Sequence, residues 1–401
     1  MTDAADILGS DPRPAFFPVE DPVAAGLEPP PDRYGQSVRT WVRALAGMQK
    51  EALVVNGMTG RAWRLVSDEG PYLSGHDRAP CPLCTFVTGM VSSYTNEISA
   101  LAALRDIGIR DIRLTLDLFY SMEGSALKGT MVGGAASPEL VVEILADAES
   151  DTIEELVSDA VTASPATGLL RGILESRFNL SLNGAQIEVG SVAPLGSPLE
   201  ADPKHRFDEA LVGDVATAGD LMVKLQPADE IEGAPGGVAS SLQESQSRKL
   251  HVRAVCTIRD DGVKEIVENL YSPIGSQFRF LSDEAPELGG SGLAPDAATY
   301  LSAGVGFCFM TQVGRYAAIT RRQVDGYRIV QDTHLSAGGA GGGGQTAMAD
   351  PVETHVYLDT SEDEEFARTT LDMGEQTCFL HATCRTNLDV VTQVSNMDGA
   401  A

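Results

Sequence analysis

Two cysteines in the last quarter of the chain, Cys308 and Cys378, are the strongest candidates for chemistry. Each has apolar neighbours: Ala303-Gly-Val-Gly-Phe-Cys308-Phe-Met around the first, Thr377-Cys378-Phe379 around the second. A thiol reacts as its thiolate, and a nearby cation can lower its pKa from about 8.5 toward 7. Arg279 precedes Cys308 and is the candidate cation. The set reads as reactive thiol, activating cation and resolving thiol, provided the fold brings the two Cα atoms within roughly 4.4–6.8 Å. A buried cysteine is also a common small core residue, and spacing alone leaves both readings open.

Cys81-Pro-Leu-Cys84 is a separate signal. A Cys-x-x-Cys pair can be redox-active, structural, or half a zinc site, here with His76 and Asp77 before it. No second such pair completes a four-cysteine site. The pair opens a helix, whose N-terminal dipole favours thiolate. Cys256 and Cys384 read as packing residues, and His381 fits no motif. Ser93 and Ser164 have no His/Asp partners at hydrolase-like spacing, and no Gly-x-Ser-x-Gly occurs.

The elements that must position these residues occur twice. Arg64-Leu-Val-Ser-Asp-Glu-Gly-Pro-Tyr-Leu-Ser-Gly-His-Asp-Arg-Ala-Pro80 matches the stretch from Arg279 to Pro295 at nine positions, at a constant offset of 215. Chance would give about one match. The chain therefore reads as a tandem of similar units: a tail over 1–33, unit one over 34–192, a linker over 193–247 and unit two over 248–401. In unit one, strands are expected at 40–45, 52–55 and 62–66, and in unit two at 250–255, 263–267 and 278–281. A long buried helix follows each loop, over 85–107 and 297–324. Further strands are expected at 112–118 and 140–145, and at 327–333 and 352–358. A second helix in each unit carries a capping-box spacing, Thr152 to Glu155 and Ser361 to Glu364. Closing strands fall at 178–182 with 187–189, and at 388–394. Residues 207–225 are a candidate helix inside the linker, and 234–241 read as flexible linker. The glycine run 336–344 reads as a hairpin tip, without the Lys-Ser/Thr of a phosphate loop. The pattern is α+β, with helices against antiparallel sheet. Counted from the shared proline, Ser93 stands where unit two has Cys308, and Ser164 falls near the place of Cys378, so unit one reads as the degenerate half.

A net charge of -28 repels phosphate and argues against nucleic-acid binding. No apolar run is long enough to span a membrane. Residues 1–10 lack a signal-peptide pattern, which makes a cytoplasmic location the expectation. No motif calls for a cofactor.

Arg279, the apolar run to Cys308, and Cys378 at its separation are similar to the osmotically inducible protein C / organic hydroperoxide resistance (OsmC/Ohr) family, over about 34–192 and 248–395. The resemblance implies two OsmC-like units, antiparallel sheets around long central helices, joined as an intrachain pseudo-dimer. It implies a peroxidase in which Cys308 attacks an organic hydroperoxide or other small apolar substrate. Cys378 would then close a disulfide, and an external dithiol would reduce it. Arg279 would activate Cys308, with Arg64 a possible contribution from the other unit. The family's Glu position holds Ala298 here, with Asp296 the nearest acid, and the family's Cys-Pro is Cys378-Phe379. The implied assembly is a monomeric pseudo-dimer or a dimer of it, with no nucleic-acid or membrane partner. Two alternatives stand beside it: an OsmC-like scaffold binding a small apolar or thiol ligand between the units, and a zinc protein using Cys81 and Cys84.

Overall fold

Alternation decides the strands. In 112–118, Ile112, Leu114, Leu116 and Leu118 are buried while Arg113 faces solvent, as a period of two requires. The two long helices are instead enclosed on almost every side, which apolar residues around a full turn demand. The computed structural model describes residues 4–214, 220–228, 245–338 and 346–397. The expected linker at 234–241 and residues 339–344 of the glycine run lie outside the described residues.

The first half runs β1 (Phe17–Pro18), β2 (Gly35–Ala44), β3 (Lys50–Asn56), β4 (Ala62–Ser67), α1 (Pro82–Leu104), β5 (Ile109–Ser125), β6 (Val132–Ala135), β7 (Glu139–Ala146), α2 (Ser150–Ala163), β8 (Arg177–Leu182), β9 (Ala185–Ile187) and β10 (Ala193–Pro194). The second runs β11 (Met222–Gln226), β12 (Ser245–Ile258), β13 (Lys264–Ser272), β14 (Gln277–Ser282), α3 (Ala297–Thr320), β15 (Gly326–Ser336), β16 (Glu353–Asp359), α4 (Glu364–Thr377), α5 (Phe379–Cys384) and β17 (Val391–Asn396). The α+β class is as expected, and the order strands, long helix, strands, second helix, strand occurs twice.

The two sheets exchange strands. One has the order β1-β4-β3-β2-β15-β16-β8-β10 and the other β11-β14-β13-β12-β5-β7-β17. Strands β2–β4 of the first half thus pair with β15 of the second, and β12–β14 of the second pair with β5 of the first. Pairing is antiparallel except at β16–β8, β8–β10 and β7–β17. Between the sheets, α1 packs on β5, β12 and β13, α3 packs on β2, β3 and β15, and the helices pack on each other. A Cβ at Gly89 would lie 2.7 Å from the Leu301 nitrogen, and one at Gly304 would lie 2.7 Å from the Phe86 Cβ. These glycines, at the same offset as the repeated loop, set the close crossing. Among the described residues, no helix is long and apolar enough to cross a membrane.

Three local expectations change. Within the described residues, 207–225 holds only the turn Arg206–Glu209 and strand β11, which pairs with β14. The helix caps come from other residues. Asp363 accepts the Phe366 amide at 2.9 Å, and Glu149 at the start of α2 makes no side-chain cap. The segment before Asp32 is part of the body: Phe16 and Phe17 are buried, and β1 pairs with β4.

Candidate active site

Cys308 lies midway along α3 and is 2% exposed. Cys378 ends α4 and caps α5, where its Sγ accepts the His381 amide at 3.4 Å. The turn between these helices presents the Phe379 and Leu380 amides to the Cys308 sulfur, and both favour its thiolate. Burial, and then the adjacent Cys378 thiol, work the other way and push the Cys308 pKa well above its ordinary value. The resting residue is therefore a protonated thiol with its neighbour in place.

A cavity of about 30 Å³ opens beside it, room for about two waters or the reacting end of a small molecule. Both halves build its wall: Glu69, Tyr72 and Cys81 from the first, Arg248, Thr311 and Arg315 from the second, with Phe379 from α5. Glu69 is buried and accepts from Thr311 Oγ1 at 3.1 Å and from the Tyr72 hydroxyl at 2.8 Å. Burial raises the Glu69 pKa, and Lys50 works against that rise. Lys50 itself is fully buried on β3, with its Nζ bonded to the Met48 carbonyl. Burial lowers its pKa, while Glu69, Asp68, Cys308 and Cys81 pull it upward. Arg315 and Arg248 lie close together. Burial, then the Arg248 charge, pushes Arg315 down to about 9.

The cations near Cys308 are thus Lys50, Arg248 and Arg315, and the expected arginines are elsewhere. Arg279 lies between inward-facing Phe278 and Phe280, and it bonds to Glu265 at 3.3 Å and to the Asp220 carbonyl at 2.8 Å. Arg64 bonds to Glu51 at 3.0 Å, Asp11 at 2.8 Å and the Pro14 carbonyl at 3.0 Å. The two sites correspond: Arg64 faces Glu51 and Arg279 faces Glu265, and each strand is flanked by the segment before it, in the registers Phe17↔Arg64 and Val223↔Arg279. The repeated arginine ties a covering segment to its sheet, which corrects its expected role at the thiol. Asp296 is also corrected. It caps α3, accepting the Thr299 amide at 2.7 Å and the Asn56 side chain at 3.1 Å, three turns before Cys308.

Two residues missed in the sequence left a signal there. Lys50-Glu51 recurs as Lys264-Glu265, and Ser67-Asp68-Glu69 recurs as Ser282-Asp283-Glu284. In both loops the serine donates to the closing proline's carbonyl, at 2.9 Å and 3.0 Å. In both, the glutamate reaches the other half's long helix: Glu69 to Thr311, and Glu284 to Asn96 at 2.5 Å.

At the corresponding place in the first half, Ser93 and Ser164 face each other with their hydroxyls 2.7 Å apart. Beside them is a larger cavity, about 680 Å³, with Asn96, Glu284 and Leu301 in its wall. Oxygen replaces sulfur at both places, and no thiol chemistry is available there.

Cys81 caps α1, and its Sγ lies 2.9 Å from that of Cys84. His76 and Asp77 do not join them. His76 meets the Ala4 carbonyl at 3.0 Å, and Asp77 binds Lys224 and Ser276. Among the described residues, one group has metal-ligand proximity, Asp332, His334 and Glu353. There Arg39 holds Asp332 and Arg33 holds Glu353 through paired bonds.

Fold and site together define an α+β protein with reduced, paired cysteines at a buried junction of its two halves. No protein-family model matches the chain, and no curated protein does. Among solved structures, it is similar to an OsmC-like hydroperoxide resistance protein from Jannaschia sp. CCS1, with 17% identity over 32% of this chain and 81% of that one, at a TM-score of 0.19. With so little overlap, the reading of the site rests on its own geometry.

Proposed function

We propose that the chain is a two-cysteine peroxidase for organic hydroperoxides, built from two tandem OsmC-like units joined as an intrachain pseudo-dimer. The observation that carries it is Cys378 set beside Cys308, which opens on a cavity walled by Glu69, Arg248 and Arg315, with Lys50 within electrostatic reach of the Cys308 sulfur. Glu69 takes the Cys308 proton, and the surrounding cations hold the thiolate. The thiolate attacks the outer peroxide oxygen, the O–O bond breaks, and the alkoxide leaves with a proton as alcohol. Cys308 is left as sulfenic acid. The Cys378 thiol displaces water from it and forms the disulfide, which an external dithiol reduces by exchange. The small cavity accepts the reacting oxygens, and Phe379 gives the organic group an apolar contact.

The test treats reduced protein with cumene hydroperoxide and maps disulfides by mass spectrometry. A Cys308–Cys378 bond is expected, with consumption abolished in Cys308→Ser and slowed about 10²-fold in Glu69→Gln. Unchanged consumption in Cys308→Ser, with no such bond in the wild type, would rule the reading out. The large cavity beside Ser93 favours a second reading, in which the scaffold binds a small ligand there. Ligand-induced melting shifts that persist in Cys308→Ser and vanish on Ser93→Trp would favour it.

A further inference from the structure

The peroxidase reading leaves two thiols and a carboxylate unused. Cys81 and Cys84 stand 2.9 Å apart at the start of α1. Cys81 lines the same cavity as Cys308. The Tyr120 hydroxyl is within electrostatic reach of Cys308, Cys378 and Cys81 alike, and Lys50 is within reach of Cys308 and Cys81. At the corresponding N-terminus of α3 the two places are Asp296 and Thr299, so this dithiol exists only where a helix start meets Cys308. Behind Cys84 lies Glu268 on β13, fully buried. Neither of its oxygens has a nitrogen or oxygen partner among the described residues, and its carboxyl lies against the Cys84 thiol. Burial raises its pKa to about 8. A buried carboxyl without an ion pair is costly. Here it stands where a thiol must lose its proton.

We propose that Cys81 and Cys84 form an internal dithiol that reduces the Cys308–Cys378 disulfide, an inference that rests on the peroxidase reading. The Cys81 thiolate attacks the Cys308 sulfur, and the Cys308–Cys378 bond breaks. Cys378 leaves as thiolate and takes up the proton Cys81 gave up. Glu268 in its ionised form takes the Cys84 proton, and Cys84 attacks Cys81. The mixed disulfide breaks, and Cys308 is released as thiolate. Two electrons have moved from one dithiol to the other disulfide, and the external dithiol then reduces Cys81–Cys84 by the same exchange. Cys81 is 7% exposed against 0% for Cys378, so the relay carries the oxidised pair toward the surface.

Order of oxidation tests this. Reduced wild-type protein receives one and then two equivalents of cumene hydroperoxide, is quenched with N-ethylmaleimide, and is mapped by mass spectrometry. After one equivalent the expected bond is Cys81–Cys84 with Cys308 and Cys378 alkylated, and the second equivalent closes Cys308–Cys378. Cys81→Ser should consume one equivalent instead of two and stop at Cys308–Cys378. Cys84→Ser should accumulate the Cys81–Cys308 mixed disulfide, and Glu268→Gln should slow the transfer at least tenfold without slowing the first oxidation. If Cys81→Ser forms Cys308–Cys378 but wild type never shifts the bond to Cys81–Cys84, the relay is wrong and the peroxidase stands. If Cys81→Ser forms no disulfide with peroxide, the peroxidase reading fails and the relay falls with it.

Discussion

Cys308 and Ser93 occupy corresponding positions on crossing helices, and one atom separates their chemistry. Both face a partner of their own kind, Cys378 or Ser164, and both have a glutamate from the opposite half nearby. The serine pair shows that the geometry persists without sulfur, as hydroxyls satisfied by each other at 2.7 Å. Alignment on the shared proline was enough to read this correspondence. The role of the arginines was not legible in the same way, because it depends on which face of the strand they occupy. The alternation Phe278-Arg279-Phe280 carried that information: with both phenylalanines in the core, the arginine must point away from it. His381, which fits no motif, gives the prediction at this scale. Its ring packs on Phe309 at 5.4 Å and Phe178 at 5.6 Å, with neither nitrogen partnered among the described residues. Burial, then the Arg385 charge, lowers its pKa to about 3. The unfolded histidine titrates near 6.5, so the folded state binds fewer protons between these values. The stability tied to the neutral ring is complete above pH ~6.5 and is lost as pH falls toward 3, by on the order of a few kcal/mol. His381→Phe should flatten the decline in urea midpoint between pH 7 and 4. Equal slopes in both proteins would show that the ring is not the titrating group.

Among the elements, α1 and α3 decide whether either site exists. Their crossing at Gly89 and Gly304 leaves no room for a methyl group. It sets how closely Cys81 at the head of α1 approaches Cys308 on α3. The apolar content and length of both helices were plain from the sequence. The pairing of the hairpins was not, because β2 finds β15 in the opposite half of the chain, and no local pattern encodes that register. The same holds for β11, a short segment that reads as part of a helix until β14 supplies an edge to pair with. Gly304→Ala should cost about 1–3 kcal/mol, the usual range for overpacking. It should also raise the alkylation rate of Cys308 by parting the helices. An alanine variant with unchanged urea midpoint and unchanged thiol reactivity would mean that the crossing has slack the distances deny.

For the molecule as a whole, the strand exchange means that neither half encloses its own core. Separating them would unzip β12 from β5 along Ser245–Thr257 and β2 from β15 along Gly35–Arg43. It would also strip the shared face of α1 and α3 and expose the apolar inner side of both sheets. Buried Glu69 would lose Thr311, its partner from the opposing half, at the same moment. Such shared burial couples the halves into one cooperative unit, although the repeated sequence invites the picture of two domains. Calorimetry should therefore show a single transition whose van't Hoff and calorimetric enthalpies agree. Chains 1–214 and 220–401, made separately, should remain unfolded or self-associate through the open edges of β2 and β12, and should recover the native spectrum when mixed. Two resolved transitions, or a folded monomer from either fragment, would mean that each half holds a core of its own and that the exchanged strands add little to stability.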